Sequence, residues 1–262
     1  WIQRASRGRT RLVHFGRPWA RPDRFDLVIT TPQYFLDPDR WPNLLVLPLP
    51  PVPPGAAATA DGPVLLLVGG DSGSQQLDPP FARALLRRSA ALARSRDRGL
   101  RLTTSPRTPL AVERTLVEEA RALGAECHGW HGSGAAGNPY ERWLREASAV
   151  VVTADSISMV AEAAARGVPL WLARLPVPRR PWWLTRRGWR WRAATHELAQ
   201  RLAPRRFRRD TGRLLGALVA NGRACWLEDE ADARQAAGAP PAGDDARTAA
   251  RALAALLPAS GR

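Results

Sequence analysis

The chain has 262 residues, is 45% hydrophobic and carries a formal net charge of +15, so it can bury one large or two small cores and is not disordered throughout. All 39 of its cations are arginine, amid abundant Ala, Leu, Pro and Gly, which points to a base-composition bias as much as to selection for charge. Zinc-finger spacing, an RRM signature and interleaved aromatic-basic strands are all missing, which argues against nucleic acid as a partner; the excess charge instead favours a phosphate-bearing ligand or an anionic membrane surface.

The single methionine is Met159, deep in the chain, and no apolar leader precedes it, so the sequence reads as a portion of a longer or processed protein. Cys127 and Cys225 fit no disulfide framework, which suggests reduced thiols and a cytoplasmic setting. Cys127, His128 and His131 could meet at a metal, but a short strand end carrying two histidines reads more simply as structural, and no metal is expected.

In chain order, residues 12–15, 25–30 and 44–49 are short strand-like runs separated by Pro, Asp and Arg clusters, with no helix of useful length between them. They read as the end of a sheet. A Pro/Ala/Gly-rich linker follows over residues 51–63. Residues 64–68 form a continuous Val/Leu run, typical of a strand buried on both faces, and lead into Gly69-Gly70-Asp71-Ser72-Gly73-Ser74. Asp78-Pro79-Pro80 predicts a capped helix start with Phe81, Leu85 and Leu92 facing inward. Residues 100–104 are the next strand. Thr108-Pro109 repeats the cap-plus-proline signal ahead of a stripe of Val112, Leu116, Ala120 and Leu123. A weak strand at 127–130, a loop at 132–138, a short helix from Pro139 to Ala147, a strand at 149–153, a helix at 157–165 and a strand at 169–173 complete the regular part. Such alternation predicts an α/β fold with a Rossmann-type parallel sheet covered by helices. The carboxyl ends of three strands then bring residues 69–74, 104–108 and 153–158 to one edge, where helix N-termini present free amides to a ligand.

Residues 179–209 break the pattern, with Trp182, Trp183, Trp189 and Trp191 among arginines. This mixture suits either a membrane interface or a loop packed on the sheet. No run of eighteen apolar residues spans a bilayer.

The stretches VLLLVGGDSGS and AVVVTADSISMVAEAAARGVPLWL resemble the two diphosphosugar-binding segments of GT-B glycosyltransferases, notably the N-acetylglucosaminyltransferase acting on the lipid-linked peptidoglycan precursor. FDLVITTPQY, LLVGGDSGS, TTSPRTP, GNPY and VVTADSISMVAEAAARGVP together resemble the elongated-mitochondria (mitochondrial fission) family, over residues 9–175. The resemblance implies a GT-B-like protein. Residues 1–50 would be the tail of an acceptor-side domain, 64–230 a nucleotide-sugar-binding domain, and 231–262 a tail whose helix crosses back. It further implies donor contacts from Gly70, Ser72, Gly73 and Ser74, from Ser105 and Arg107, and from Thr153, Ser156 and Ser158, with Glu162 accepting from ribose hydroxyls. Arg107 would pair with the diphosphate. Neither metal nor cofactor is implied, and the catalytic base would come from upstream. The partner would be a nucleotide-diphosphate sugar. A non-catalytic adaptor, held peripherally on the inner face of a membrane, is the alternative that the family name brings.

Overall fold

The computed structural model describes residues 5–7, 9–53, 61–72, 75–133, 137–176, 184–185, 188–189, 198, 202, 204, 208–228 and 245–257. Gly73 and Ser74 therefore lie outside the described residues, as do Trp182, Trp183 and Trp191.

Three short strands, β1 (Val13–Phe15), β2 (Leu27–Thr30) and β3 (Leu44–Val46), form a parallel sheet in the order β1-β2-β3. Between them run only two single-turn 3-10 helices, Pro22–Arg24 and Pro32–Tyr34. The last strand is shorter than its apolar run. Leu47 N still donates to the Thr30 carbonyl at 2.8 Å, but Pro48 has no N–H with which to continue the ladder.

The main sheet has six strands: β4 (Val64–Val68), β5 (Leu100–Thr104), β6 (Glu126–His128), β7 (Ala149–Thr153), β8 (Leu170–Ala173) and β11 (Cys225–Trp226). Their spatial order is β11-β8-β7-β4-β5-β6, and every pairing is parallel. Read in chain order this is the 3-2-1-4-5-6 arrangement of Rossmann sheets, so the expected fold class is the one observed. Every residue of β4 and of β7 is buried, which explains their unbroken apolar sequence: with helices on both faces there is no solvent side to mark with polar residues. Between β8 and β11 in the chain, Leu184–Thr185 (β9) and Gly188–Trp189 (β10) pair antiparallel.

The connections are α1 (Pro79–Ser95), α2 (Leu110–Ala122), α3 (Trp130–Ser133), α4 (Tyr140–Glu146), α5 (Ile157–Ala164) and α6 (Thr211–Ala220). Asp78 caps α1 by accepting from Phe81 N at 2.8 Å, with prolines in the first turn. Ala82, Leu85, Leu86, Ser89, Ala90 and Ala93 form its buried stripe, whereas Phe81 and Leu92 are only partly covered. On α2, Val112, Leu116 and Ala120 are buried, but Leu123 is exposed where the helix ends. A final helix, α7 (Asp245–Ala254), sets Ala249 in a second small core with Leu27, Ile29 and Leu47 of the first sheet. Helix α6 also meets the first sheet: Asp210 N donates to the Gln33 carbonyl at 2.9 Å, and Arg209 Nε donates to Gln33 Oε1 at 2.9 Å. Among the described residues no helix is long and apolar enough to cross a membrane.

Leu66, at the middle of the central strand, is fully buried. Leu66→Ala is expected to lower unfolding free energy by about 2–5 kcal/mol, measured by denaturant titration.

Candidate functional site

The strand order reverses between β4 and β7. In open parallel sheets, ligands sit outside the carboxyl ends of the strands at such a point. Here β5, β4 and β7 run parallel side by side, so the three segments that follow them share that edge. Hydrogen bonds knit them together. Gly69 N donates to Thr153 Oγ1 at 2.8 Å, and Gly70 N to Asp155 Oδ2 at 2.9 Å. Arg107 Nη2 donates to the same Asp155 oxygen at 3.0 Å. Thr108 Oγ1 lies 2.5 Å from the Gly69 carbonyl, to which it donates. The Thr108-Pro109 pair is thus not a capping signal. Pro109 occupies the N-cap of α2 without a side-chain cap bond, and the threonine hydroxyl ties the β5 loop to the β4 loop instead.

The two glycines are explained by the same contacts. A Cβ on Gly69 would stand 2.7 Å from Asp155 Cγ, and one on Gly70 would stand 2.6 Å from Arg107 Cβ and 2.5 Å from its carbonyl carbon. The space that a side chain would need is filled by the neighbouring loops.

Asp155 is the chemical centre of the cluster. Its side chain is fully buried, while that of Arg107 is 49% exposed. Burial pushes the Asp155 carboxyl above its ordinary value, against the opposing influence of the Gly70 amide, the Thr153 hydroxyl and Arg107. The second carboxylate oxygen, Oδ1, is buried and meets no donor at full hydrogen-bond geometry.

The structure places the sequence-named residues as follows. Gly70, Arg107 and Thr153 belong to this network. Ser105 flanks it, its backbone N–H donating to Thr108 Oγ1 at 2.9 Å. Ser72 and Gln75 exchange a pair of backbone hydrogen bonds, and Asp71 accepts from Leu77 N at 3.0 Å. Ser156 is the N-cap residue of α5 but makes no side-chain cap bond, which leaves first-turn amides to be satisfied from outside the helix. Ser158 is exposed in that first turn. Glu162, further along α5, accepts a hydrogen bond from the Tyr140 hydroxyl through Oε2. Burial and the adjacent Glu162 raise the Tyr140 hydroxyl far above the ordinary phenol range, so the tyrosine remains a donor.

Three residues of the cluster escaped the sequence reading as members of it: Asp155, Thr108 and Tyr140. Asp155 is the one on which the network turns. Nothing local in the sequence announces its pairing with Arg107, 48 residues away.

A second network supports the β5 loop from behind. Glu113 on α2 is buried, accepting from Thr104 Oγ1 at 2.5 Å and from His131 N at 2.8 Å. Trp130 N donates to the same threonine hydroxyl at 2.8 Å, and His131 Nε2 donates to the Thr108 carbonyl at 2.8 Å. These side-chain acceptors take over where β6 stops at His128, and the chain turns into α3 instead of extending as a strand to Trp130. Glu113→Ala would leave the Thr104 hydroxyl and the His131 amide without their acceptor, at roughly 1–3 kcal/mol for each group that stays buried. A thermal melt should show a clear loss of stability. Burial and the nearby Glu113 push the Cys127 thiol up to about 11, which makes it a quiet neutral group. Among the described residues, no group of three or more His, Cys, Asp or Glu side chains is placed to hold a metal ion.

Comparison with known proteins gives the chain its relatives. No curated protein matches it. A solved translation initiation factor eIF-2B from Pyrococcus horikoshii OT3 is 19% identical with a TM-score of 0.27, over 44% of this chain and 40% of that one. A Thermobaculum terrenum O-GlcNAc transferase mutant is 15% identical with a TM-score of 0.30, over 88% of this chain and 44% of that one. The chain therefore spans less than half the length of either structure. The sequence model of the family described as Mitochondrial fission ELM1 matches residues 1–256, and the chain belongs to that family.

Proposed function

We propose that the carboxyl edge of the six-stranded sheet binds a nucleotide-diphosphate sugar, whose sugar the whole protein transfers to an acceptor without a metal. The observation that carries this reading is the convergence, at the strand-order reversal, of the Gly70 loop, the uncapped N-terminus of α5 and the half-exposed Arg107 guanidinium. A helix N-terminus and an arginine fork both favour phosphate oxygens. Glu162, already oriented by Tyr140, has carboxylate lone pairs left for ribose hydroxyls. In the transfer itself, Arg107 and the α5 amides would stabilise the departing diphosphate, while displacement occurs at the anomeric carbon.

Calorimetric titration with UDP, GDP, ADP and their sugars tests the reading. One nucleobase should bind with at least micromolar affinity, and the matching sugar nucleotide should be consumed in the presence of the right acceptor. If no member of the panel binds the folded protein at millimolar concentration, the enzyme reading falls. The adaptor reading then takes its place, and sedimentation with anionic vesicles becomes the relevant assay.

A further inference from the structure

Resting on the proposed anion site, we propose that the Asp155 carboxylate is a built-in surrogate for the ligand's phosphate, holding the Gly70 amide and the Arg107 guanidinium until a diphosphate displaces it from the arginine. The two donors best placed for an incoming anion at the switch point both converge on one oxygen, Asp155 Oδ2, at 2.9 Å and 3.0 Å. An anionic ligand cannot share that oxygen's position. It must take Arg107 away, which the half-exposed arginine can accommodate and the fully buried aspartate cannot follow.

The remaining contacts fit this role better than a purely structural one. A buried ion pair that served only stability would be expected to satisfy both carboxylate oxygens, because an unpaired buried acceptor is costly. Asp155 Oδ1 meets no donor at full hydrogen-bond geometry, so the Thr153 hydroxyl and the Asp155 amide hold the carboxylate less closely than Gly70 and Arg107 do. Gly69 carries no side chain at the position where a Cβ would collide with this carboxyl, so the close approach is built into the loop. Among the described residues, Arg107 is the charged group that acts on Asp155; Asp71 is engaged with Leu77 N, and Glu162 with Tyr140. Once Arg107 swings to the ligand, the buried carboxyl loses its counter-charge and shifts further toward its neutral form, which burial already favours. The ligand's phosphate replaces the carboxylate as the anion paired with arginine, and no covalent bond forms or breaks in the exchange.

The test is Asp155→Asn, which keeps the shape and an oxygen for Gly70 N but removes the competing charge. Titration with inorganic pyrophosphate and with the best-binding nucleotide diphosphate should show binding about tenfold tighter than in the wild type. In an Arg107→Ala background the same change should give much less gain, because there is no arginine left to release. Since the charged Asp155 is disfavoured by burial, Asp155→Asn should also raise the melting temperature at pH 7. That gain should vanish below the ordinary carboxylate range of about 4, where the wild-type side chain is neutral in both folded and unfolded chains. Unchanged or weaker binding by a folded Asp155→Asn overturns the inference while leaving the anion site intact. An equal gain with and without Arg107 overturns it too. If neither protein binds either probe, the anion site and the inference fall together.

Discussion

Gly70→Ala is expected to abolish ligand binding at the sheet edge and to lower the melting temperature. The added methyl would lie 2.5 Å from the Arg107 carbonyl carbon, and the obstacle is backbone, which cannot rotate away as a side-chain tip could. The β5 loop must move as a unit. That loop is held by Thr108 Oγ1 on the Gly69 carbonyl and by His131 on the Thr108 carbonyl, so displacing it breaks both. Overpacking of this kind costs about 1–3 kcal/mol, or roughly 2–12 °C in melting temperature for a domain of this size. Binding should suffer more than stability, since Arg107 would be carried away from the ligand. Calorimetry on Gly70→Ala beside a Ser72→Ala control, which changes a half-buried hydroxyl two residues further on, separates the loss of geometry from the loss of a hydroxyl.

The second large effect concerns selectivity. Glu162→Ala removes a carboxylate that would accept from both ribose hydroxyls, each charge-assisted bond contributing about 1.5–3 kcal/mol. Affinity for a nucleoside and for its diphosphate should fall alike, by roughly a hundredfold or more. Arg107→Ala should weaken the diphosphate by a similar factor and leave the bare nucleoside almost unaffected. Tyr140→Phe should fall between wild type and Glu162→Ala, because it removes the donor that orients the carboxylate but keeps the carboxylate itself. Equal losses for nucleoside and diphosphate in Arg107→Ala would remove that residue from the phosphate subsite.

The six-stranded sheet was legible because its central strands are covered on both faces, so burial wrote itself into consecutive residues such as Val64 to Val68. Asp78 as a cap was legible for a local reason as well, its partner Phe81 N being three residues away. The contacts that shape the site were not, because they join residues far apart in sequence. Thr108 reaches Gly69 across 39 positions, Tyr140 reaches Glu162 across 22, and Arg107 reaches Asp155 across 48. Local grammar misled at Thr108, where a threonine before a proline has the form of a helix start. The hydroxyl went to a tertiary acceptor instead. Gly69 and Gly70 were legible as a loop needing small residues, yet the groups that crowd them belong to the protein itself.

Amide chemical-shift mapping of the isotope-labelled protein with the best-binding nucleotide diphosphate shows whether the ligand lies at the carboxyl edge of the six-stranded sheet. The largest changes are expected at Gly70, Arg107, Ser156 and Ser158, with smaller ones at Glu162 and none along the opposite, amino-terminal edge of the sheet. Saturable binding with shifts confined to residues outside the loops that follow β4, β5 and β7 would place the ligand elsewhere.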